Sequence, residues 1–452
     1  MTRTRRRAAG FTLVELTVAL VAGLIVAIAI VGLSKAATAT FHEEIRSSAA
    51  EATLRAAADR LRADLQRAAY MSTPNIISDP LVAKWVGDPN NVFRVNATSG
   101  GGIMHLAGLR LLAGGSAANA PLSTAQTPAL NPDAIEIGGN MTSAEQFDVQ
   151  SVNVNNGVCA RITISDNSPA MYRINAAGPA AQAAEFNNIF QPYPGYQFIV
   201  RLLDDTGRSQ FLSTCPETTP TGINNTAVPP TAYVDVASAV AQILTPQTTG
   251  NLGGVNPVPA GRAWINPVQL VHWQIMNAAA EPAQIQNALG TQSLAAAVDP
   301  NKYDLVRSYV DATGAIIPQT SEVVAEYAVD LKFAFSVEGS PVKPPAPPQP
   351  TMLTLAFDDP TNQTWADDVY KVQGGANMPQ RIRVVRARIA TRTAQPDRTV
   401  NVPVANFGVQ SFMYRYCMTA GACTTQDGTL RWARVRTITT EVSLANQAGA
   451  FY

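Results

Sequence analysis

Histidine is nearly absent from this chain: its 452 residues hold only His42, His105 and His272, widely spaced. No G-x-S-x-G, P-loop or H-E-x-x-H sequence occurs, so the usual nucleophile, phosphate-cradling and zinc-hydrolase arrangements lack their residues. Cysteine is scarce, and without a C-x-x-C pair neither zinc-ribbon nor thioredoxin chemistry is indicated. Net charge is missing as well. The 33 basic and 33 acidic side chains cancel, which argues against a surface dedicated to nucleic acid. These absences point to a protein that is not an enzyme and needs no cofactor or metal.

Two local absences are more telling. The first ten residues contain no acid but carry Arg3, Arg5, Arg6 and Arg7; without those four the balance is 29 basic against 33 acidic. Proline is absent until Pro74, so nothing interrupts a helix before it. Leu16 to Leu33 is wholly uncharged, and as a helix Phe11 to Gly32 spans about 30 Å, the thickness of a hydrocarbon core. The arginines ahead of it favour a cytoplasmic N-terminus, with everything after Lys35 on the other side. Small residues, Ala8, Ala9 and Gly10, precede the apolar run instead of following it. Cleavage there would leave the anchor on the mature chain, unlike an ordinary secretory signal. Within this anchor Glu15 is the oddity, because a carboxylate in lipid costs about 2.5–3.5 kcal/mol and calls for a partner.

The apolar run continues as an amphipathic stretch. Leu54, Ala58, Leu61, Leu65 and Ala68 recur at helical spacing on one stripe. Glu51–Arg55 and Arg60–Asp64 form i,i+4 pairs expected on the other side. One helix from about Thr12 to Met71, about 90 Å long, is therefore expected. Residues 83–145 read as surface loops with one or two short strands. Strand candidates follow at 158–164, 196–203, 208–214, 264–276, in "YDLVRSYV", in "VVAEYAVDLKFAFSVE", at 380–393, in "FGVQSFMYRYC" and in "LRWARVRTITTEVS". "DDTG" joins two of them as a hairpin turn. Residues 216–262 read as an extended excursion, 282–298 as room for a short helix, and 340–351 as a polyproline-type spacer. The expected fold is α+β, a long N-terminal helix (membrane half plus amphipathic half) packed on an antiparallel sheet, with large loop insertions. The divisions are a leader at 1–10, the helix at 11–73 and a head at 74–452.

Cys159, Cys215, Cys417 and Cys423 all fall on the non-cytoplasmic side, where disulfides persist. Four cysteines allow three connectivities. Cys417–Cys423 is favoured because a short Gly-containing loop brings the two together, for about 2 kcal/mol on the chain-entropy model; Cys159–Cys215 would contribute about 4.

With Gly10, Phe11, Thr12, Leu13, Val14 and Glu15 ahead of the apolar run, the chain resembles the type IV prepilins and their type II secretion relatives. The resemblance covers about residues 3–70. It implies cleavage after Gly10 by a membrane prepilin peptidase, N-methylation of the new N-terminal Phe11, and a pilin-like fold. It gives Glu15 the partner it needs, the N-terminal amine of a neighbouring subunit in a fibre. "YDLVRSY", "EYAVDLKFAF", "PQRIRVVRARIATRT" and "RVRTITTEVSLANQ" resemble strands of PilW-type minor pilins, although Met378-Pro379 stands where that group usually has a tryptophan. The implied role is a minor pilin in a tip or priming complex. It would be stored in the inner membrane with a periplasmic head and later become extracellular. The implied partners are other minor and major pilins, the inner-membrane assembly platform and a large tip adhesin. A J-type minor pseudopilin of a secretion system is the alternative, though those chains are usually much shorter. A head this large is hard to repeat along a shaft and easier to place at an end.

Two further readings carry less weight. Arg381, Arg383, Arg386, Arg388 and Arg392 could meet DNA, but in an ideal strand they divide between two faces and read better as strand-edge or interface groups. Asp358, Asp359, Asp367 and Asp368 lack EF-hand spacing and read as turn residues rather than calcium ligands. A direct adhesin role for the 216–262 loops is a further alternative.

Overall fold

A computed structural model of the chain describes residues 12–76, 79, 81–82, 106–116, 131–142, 144–155, 159–204, 207, 209–216, 220–224, 231–237, 263–277, 302–338, 352–366, 379–395, 415–417 and 432–447. The spacer at 340–351, the possible helix at 282–298 and most of "FGVQSFMYRYC" lie outside them.

Helix α1 runs from Leu13 to Gln66. The chain divides into two compact units, one ending at Ala52 and the other beginning at Thr53. In the first, the large apolar side chains from Leu13 to Leu33 are all exposed, as are Phe41 and Ile45. In the second the stripe is buried as its spacing requires: Leu54, Ala58, Leu61, Leu65 and Ala68, joined by Ala57, enter the main core. The helix stops earlier than its composition suggests. Ala69 and Met71 take positive φ of 60° and 50°, and the backbone turns onto the sheet, with the Ala69 N–H donating to the Gly138 carbonyl (2.8 Å). That approach needs glycine. A Cβ on Gly139 would overlap the Arg67 carbonyl oxygen, and one on Gly138 the Ala107 carbonyl oxygen.

The strands are β1 (Leu109–Leu112), β2 (Ala134–Gly139), β3 (Phe147–Asn155), β4 (Cys159–Ile164), β5 (Ile199–Asp204), β6 (Ser209–Ser213), β7 (Thr221–Asn224), β8 (Thr231–Ala237), β9 (Ala263–Asn277), β10 (Tyr303–Val310), β11 (Glu322–Ala325), β12 (Ala328–Glu338), β13 (Met352–Thr354), β14 (Ile382–Arg392), β15 (Arg415–Cys417) and β16 (Trp432–Ser443). Helices α2 (Pro169–Ala176) and α3 (Pro179–Phe190) fall between β4 and β5, and a short α4 (Thr361–Ala366) follows β13. All the strand pairings are antiparallel. The expected α+β, pilin-like arrangement of a long helix followed by antiparallel sheets is what the chain adopts.

Among the described residues there are two sheets. Five strands follow the order β13-β12-β14-β16-β15, and the other eleven join around β9. β9 is buried along nearly its whole length, as a central strand should be. Pro267, which cannot donate to a ladder, sits next to where β9 changes neighbours: β3 and β5 pair along its first part, as far as Val268, and β2 and β10 from Gln269 onwards.

Two sequence expectations are corrected and one is sharpened. β1 and β2 are the short strands expected within 83–145, and they are not superficial: Leu109, Leu111, Ile135 and Ile137 belong to the same core cluster as the α1 stripe. The 216–262 excursion contains β7 and β8, whose Val234 and Val236 are fully buried. The "VVAEYAVDLKFAFSVE" segment is two strands, broken at Tyr327 with φ 55°. A second core, unforeseen, forms where α2 and α3 cover β3, β4, β5 and β8; Phe147, Phe186 and Phe190 stack there, with centroids 5.0 to 6.2 Å apart. Proline at the first turn of both helices explains why they start where they do.

Candidate functional site

The N-terminal segment carries the chemistry that the sequence singles out. Gly10 and Phe11 lie outside the described residues. Glu15 is on the first turn of α1, exposed, and it is engaged by its own chain. The Thr12 N–H and the Thr12 hydroxyl both donate to Glu15 Oε2 (2.9 Å each), and the Glu15 N–H donates back to Thr12 Oγ1 (3.2 Å). This is a capping box, in which two otherwise orphaned donors at a helix start are satisfied reciprocally. The T-x-x-E spacing signals it in the sequence; reading Glu15 only as an intermolecular charge missed it. Oε1 accepts no hydrogen bond among the described residues, so one carboxylate oxygen is held by Thr12 and the other is open to a second donor. α1 is long and apolar enough to cross a membrane, with a mean hydropathy of 2.8 in its most apolar window and nothing in that window buried.

Where α1 meets the sheet, the helix presents a polar site that its charge spacing does not reveal. Arg60 and Asp64 do not pair with each other. Trp273, Arg307 and Glu322 form one row across β9, β10 and β11, and the two helix residues reach that row. Asp64 Oδ2 accepts Trp273 Nε1 (2.9 Å) and Arg307 Nε (2.7 Å), while Arg307 Nη2 reaches Asp64 Oδ1 (3.3 Å). Asp64 is 5% exposed and Arg307 4%. Burial alone would lower the Arg307 pKa, but the Asp64 carboxylate outweighs it and raises it. Arg60 lies 3.3 Å from Glu322, both about half exposed. The Asn446 side-chain amide closes the same end of the helix, donating to the Gln66 carbonyl (2.9 Å).

The arginines of β14 are not at a strand edge, because β14 lies between β12 and β16. Arg383 pairs with Glu338 (2.6 Å) and buried Arg388 with Asp330 (2.7 Å). Arg386 donates to the Leu355 carbonyl, and Arg392, 2% exposed, stacks between the rings of Tyr327 and Tyr416. Their charge is spent inside the head. Of the acidic run, Asp359 caps α4 by accepting from the Thr361 N–H and hydroxyl (2.9 and 2.6 Å), and Asp358 is 4.0 Å from Arg388. Asp367 and Asp368 lie outside the described residues.

Cys159 and Cys215 are bonded, with Cα atoms 6.1 Å apart. Strand order explains the pairing. Cys159 opposes Ala237 on β8, while Thr214 bridges to Val236 and the Cys215 N–H donates to the Asp235 carbonyl. β8 thus brings the two cysteines side by side. The favoured Cys417–Cys423 pair belongs to the same connectivity, but Cys423 and the Cys417 side chain lie outside the described residues.

Residues 5–31 match the prokaryotic N-terminal methylation motif. No curated protein and no solved structure matches the chain. Together with α1 and the antiparallel head, the motif supports a type IV pilin-like or pseudopilin protein, one anchored in a membrane by its first helix. It implies processing by prepilin peptidase and association with other pilins.

Proposed function

We propose that the protein is a minor pilin, cut between Gly10 and Phe11, methylated at Phe11 and built into the tip or priming complex of a type IV pilus. The observation that carries this reading is the methylation motif at residues 5–31 on a helix whose apolar run from Leu13 to Leu33 is unburied within the chain. An apolar surface of that size needs lipid or other helices around it. Glu15 then has two successive partners. In the membrane Thr12 satisfies one of its oxygens; in the fibre the Phe11 amine of a neighbouring subunit takes the other. The head supports a low-copy, terminal position, because its second core adds bulk that each shaft position would have to accommodate.

Mass spectrometry of sheared fibres tests both parts. The expected result is an N-terminal methyl-Phe11 peptide, at a small fraction of the major subunit. An intact leader on assembled protein overturns the processing step, and near-equimolar amounts overturn the terminal position. A J-type pseudopilin would instead be recovered with the secretion apparatus and be absent from surface pili.

A further inference from the structure

A cavity of about 210 Å³ opens beside the disulfide, lined by Tyr196, Gln197, Cys215, Pro216, Asp311 and Thr313. Its walls are tied together. The Ala312 N–H donates to the Gln197 carbonyl (2.8 Å), and Cys215 is fixed by its bond to Cys159 and by its N–H to the Asp235 carbonyl. Such a cavity is formed before any ligand arrives, which limits the ordering cost of binding.

Asp311 gives the cavity its chemistry. It is 7% exposed, and its Oδ1 takes three hydrogen bonds from the following turn: the Thr313 N–H (2.9 Å), the Thr313 hydroxyl (2.6 Å) and the Ala315 N–H (2.9 Å). Oδ2 accepts none among the described residues. One carboxylate oxygen is saturated and the other is free to accept; Gln197 Oε1, in the same lining, is buried with no partner among the described residues, so the cavity offers two acceptors to a ligand. Thr313 has given its hydroxyl hydrogen to Asp311, so that oxygen too can only accept. Among the described residues no lysine or arginine lines the cavity, which disfavours phosphate or carboxylate ligands. One carboxylate is too few for a calcium site of ordinary ligand number. A neutral ligand rich in hydroxyl groups supplies the donors these acceptors can take, with an apolar edge for the Tyr196 ring.

We propose that this cavity binds one neutral pyranose unit of a glycan, with Asp311 Oδ2 accepting from a sugar hydroxyl. It places a carbohydrate contact on the head itself and does not depend on how the subunit is assembled. The test uses the full chain in a non-glycosidic detergent. The probes are the methyl glycosides of glucose, galactose and N-acetylglucosamine, with ethanolamine as a cationic competitor, read by saturation-transfer NMR. Asp311→Asn keeps the Oδ1 acceptor of the turn and replaces the unused oxygen with a donor; Tyr196→Ala leaves the turn untouched. The expected result is saturation transfer to at least one glycoside, weakened about tenfold or more by each substitution, the loss of one ligand hydrogen bond or ring contact. Thermal melting of the Tyr196 variant should be unchanged. No transfer to any glycoside, transfer that survives both substitutions, or stronger binding of ethanolamine overturns the proposal.

Discussion

Replacing Asp64 with alanine removes the buried carboxylate that faces Arg307 in the helix–sheet core. Arg307 stays 4% exposed and loses both of its bonds to Asp64, and Trp273 Nε1 loses its acceptor. Glu322, 3.4 Å from Arg307 but half exposed, compensates little. Breaking a buried ion pair from one side costs about 3–5 kcal/mol, because the other charge remains desolvated, and the indole adds about 1. For a unit running from Thr53 to Tyr452, unfolding entropy is about 0.8 kcal/mol per kelvin. A loss of about 4 kcal/mol therefore lowers Tm by about 5 °C. Circular dichroism melting of the detergent-solubilised protein measures this. Arg60→Ala is the internal contrast. Its pair with Glu322 is half exposed and contributes below about 1 kcal/mol, hence a shift near 1 °C. Asp64→Leu combined with Arg307→Met should recover most of the loss, since a matched apolar pair carries no stranded charge. If Asp64→Ala melts within a degree of the parent, or no lower than Arg60→Ala, the buried lock is wrong.

Glu15→Ala should leave membrane levels unchanged while lowering incorporation into fibres, and Thr12→Val, which keeps the backbone donor but not the hydroxyl, should lower membrane levels of the unassembled subunit; quantitative immunoblots of membrane and sheared fractions separate the two, and equal effects of both variants on both fractions would count against the division of roles. Cys159→Ser should cost about 4 kcal/mol on the chain-entropy model and act locally: hydrogen exchange should speed up in β4 and β8 and stay slow in β12 and β14. Exchange that is unchanged in β4 would show that the lobe does not need its staple. Glu136 gives an acid signature. Burial alone would raise its pKa, but His272 and Arg110 outweigh that and hold it at about 2, below the ordinary 4.5. Its contribution is complete above about pH 4.5 and lost as pH falls towards 2, amounting to about 3 kcal/mol. Glu136→Gln should flatten the pH dependence of urea midpoints across that window; an unchanged slope would sink the assignment.

The first helix was legible because two independent periodic signals, a membrane-length apolar run and then a 3.6-residue stripe, agree along an unbroken, proline-free stretch. β10, β12, β14 and β16 were legible for a similar reason, being long and rich in Val, Ile and Phe. The short strands expected in 83–145 could be neither bounded nor placed in the core: Gly138 and Gly139 suit a loop by composition, although their lack of side chains is what lets the Arg67–Tyr70 turn approach. β7 and β8 were hidden by threonine and proline, which suit a loop by composition and a strand by partner. Asp64 was misassigned because i,i+4 charge spacing looks the same on either side of a helix. Only the Trp273–Arg307–Glu322 row, assembled from three distant strands, decides which way it faces. The capping box at Thr12 could have been read from spacing alone; the cavity at Asp311 could not, since one wall comes from residues 195–216 and the other from 311–313.

Strand β16 and the turn after it enter the fold last in order of synthesis, yet they complete its beginning. β16 lies between β14 and β15, and Asn446 reaches a carbonyl 380 residues upstream. At about 5–20 residues per second, a ribosome takes on the order of 20–80 s to cover that distance. Throughout that interval the stripe from Leu54 to Leu65 waits without its final neighbours. A freely diffusing intermediate would spend those seconds exposed to other unfinished chains. A nascent chain already held in the bilayer by α1 waits at a fixed address, so the same helix serves as a folding tether.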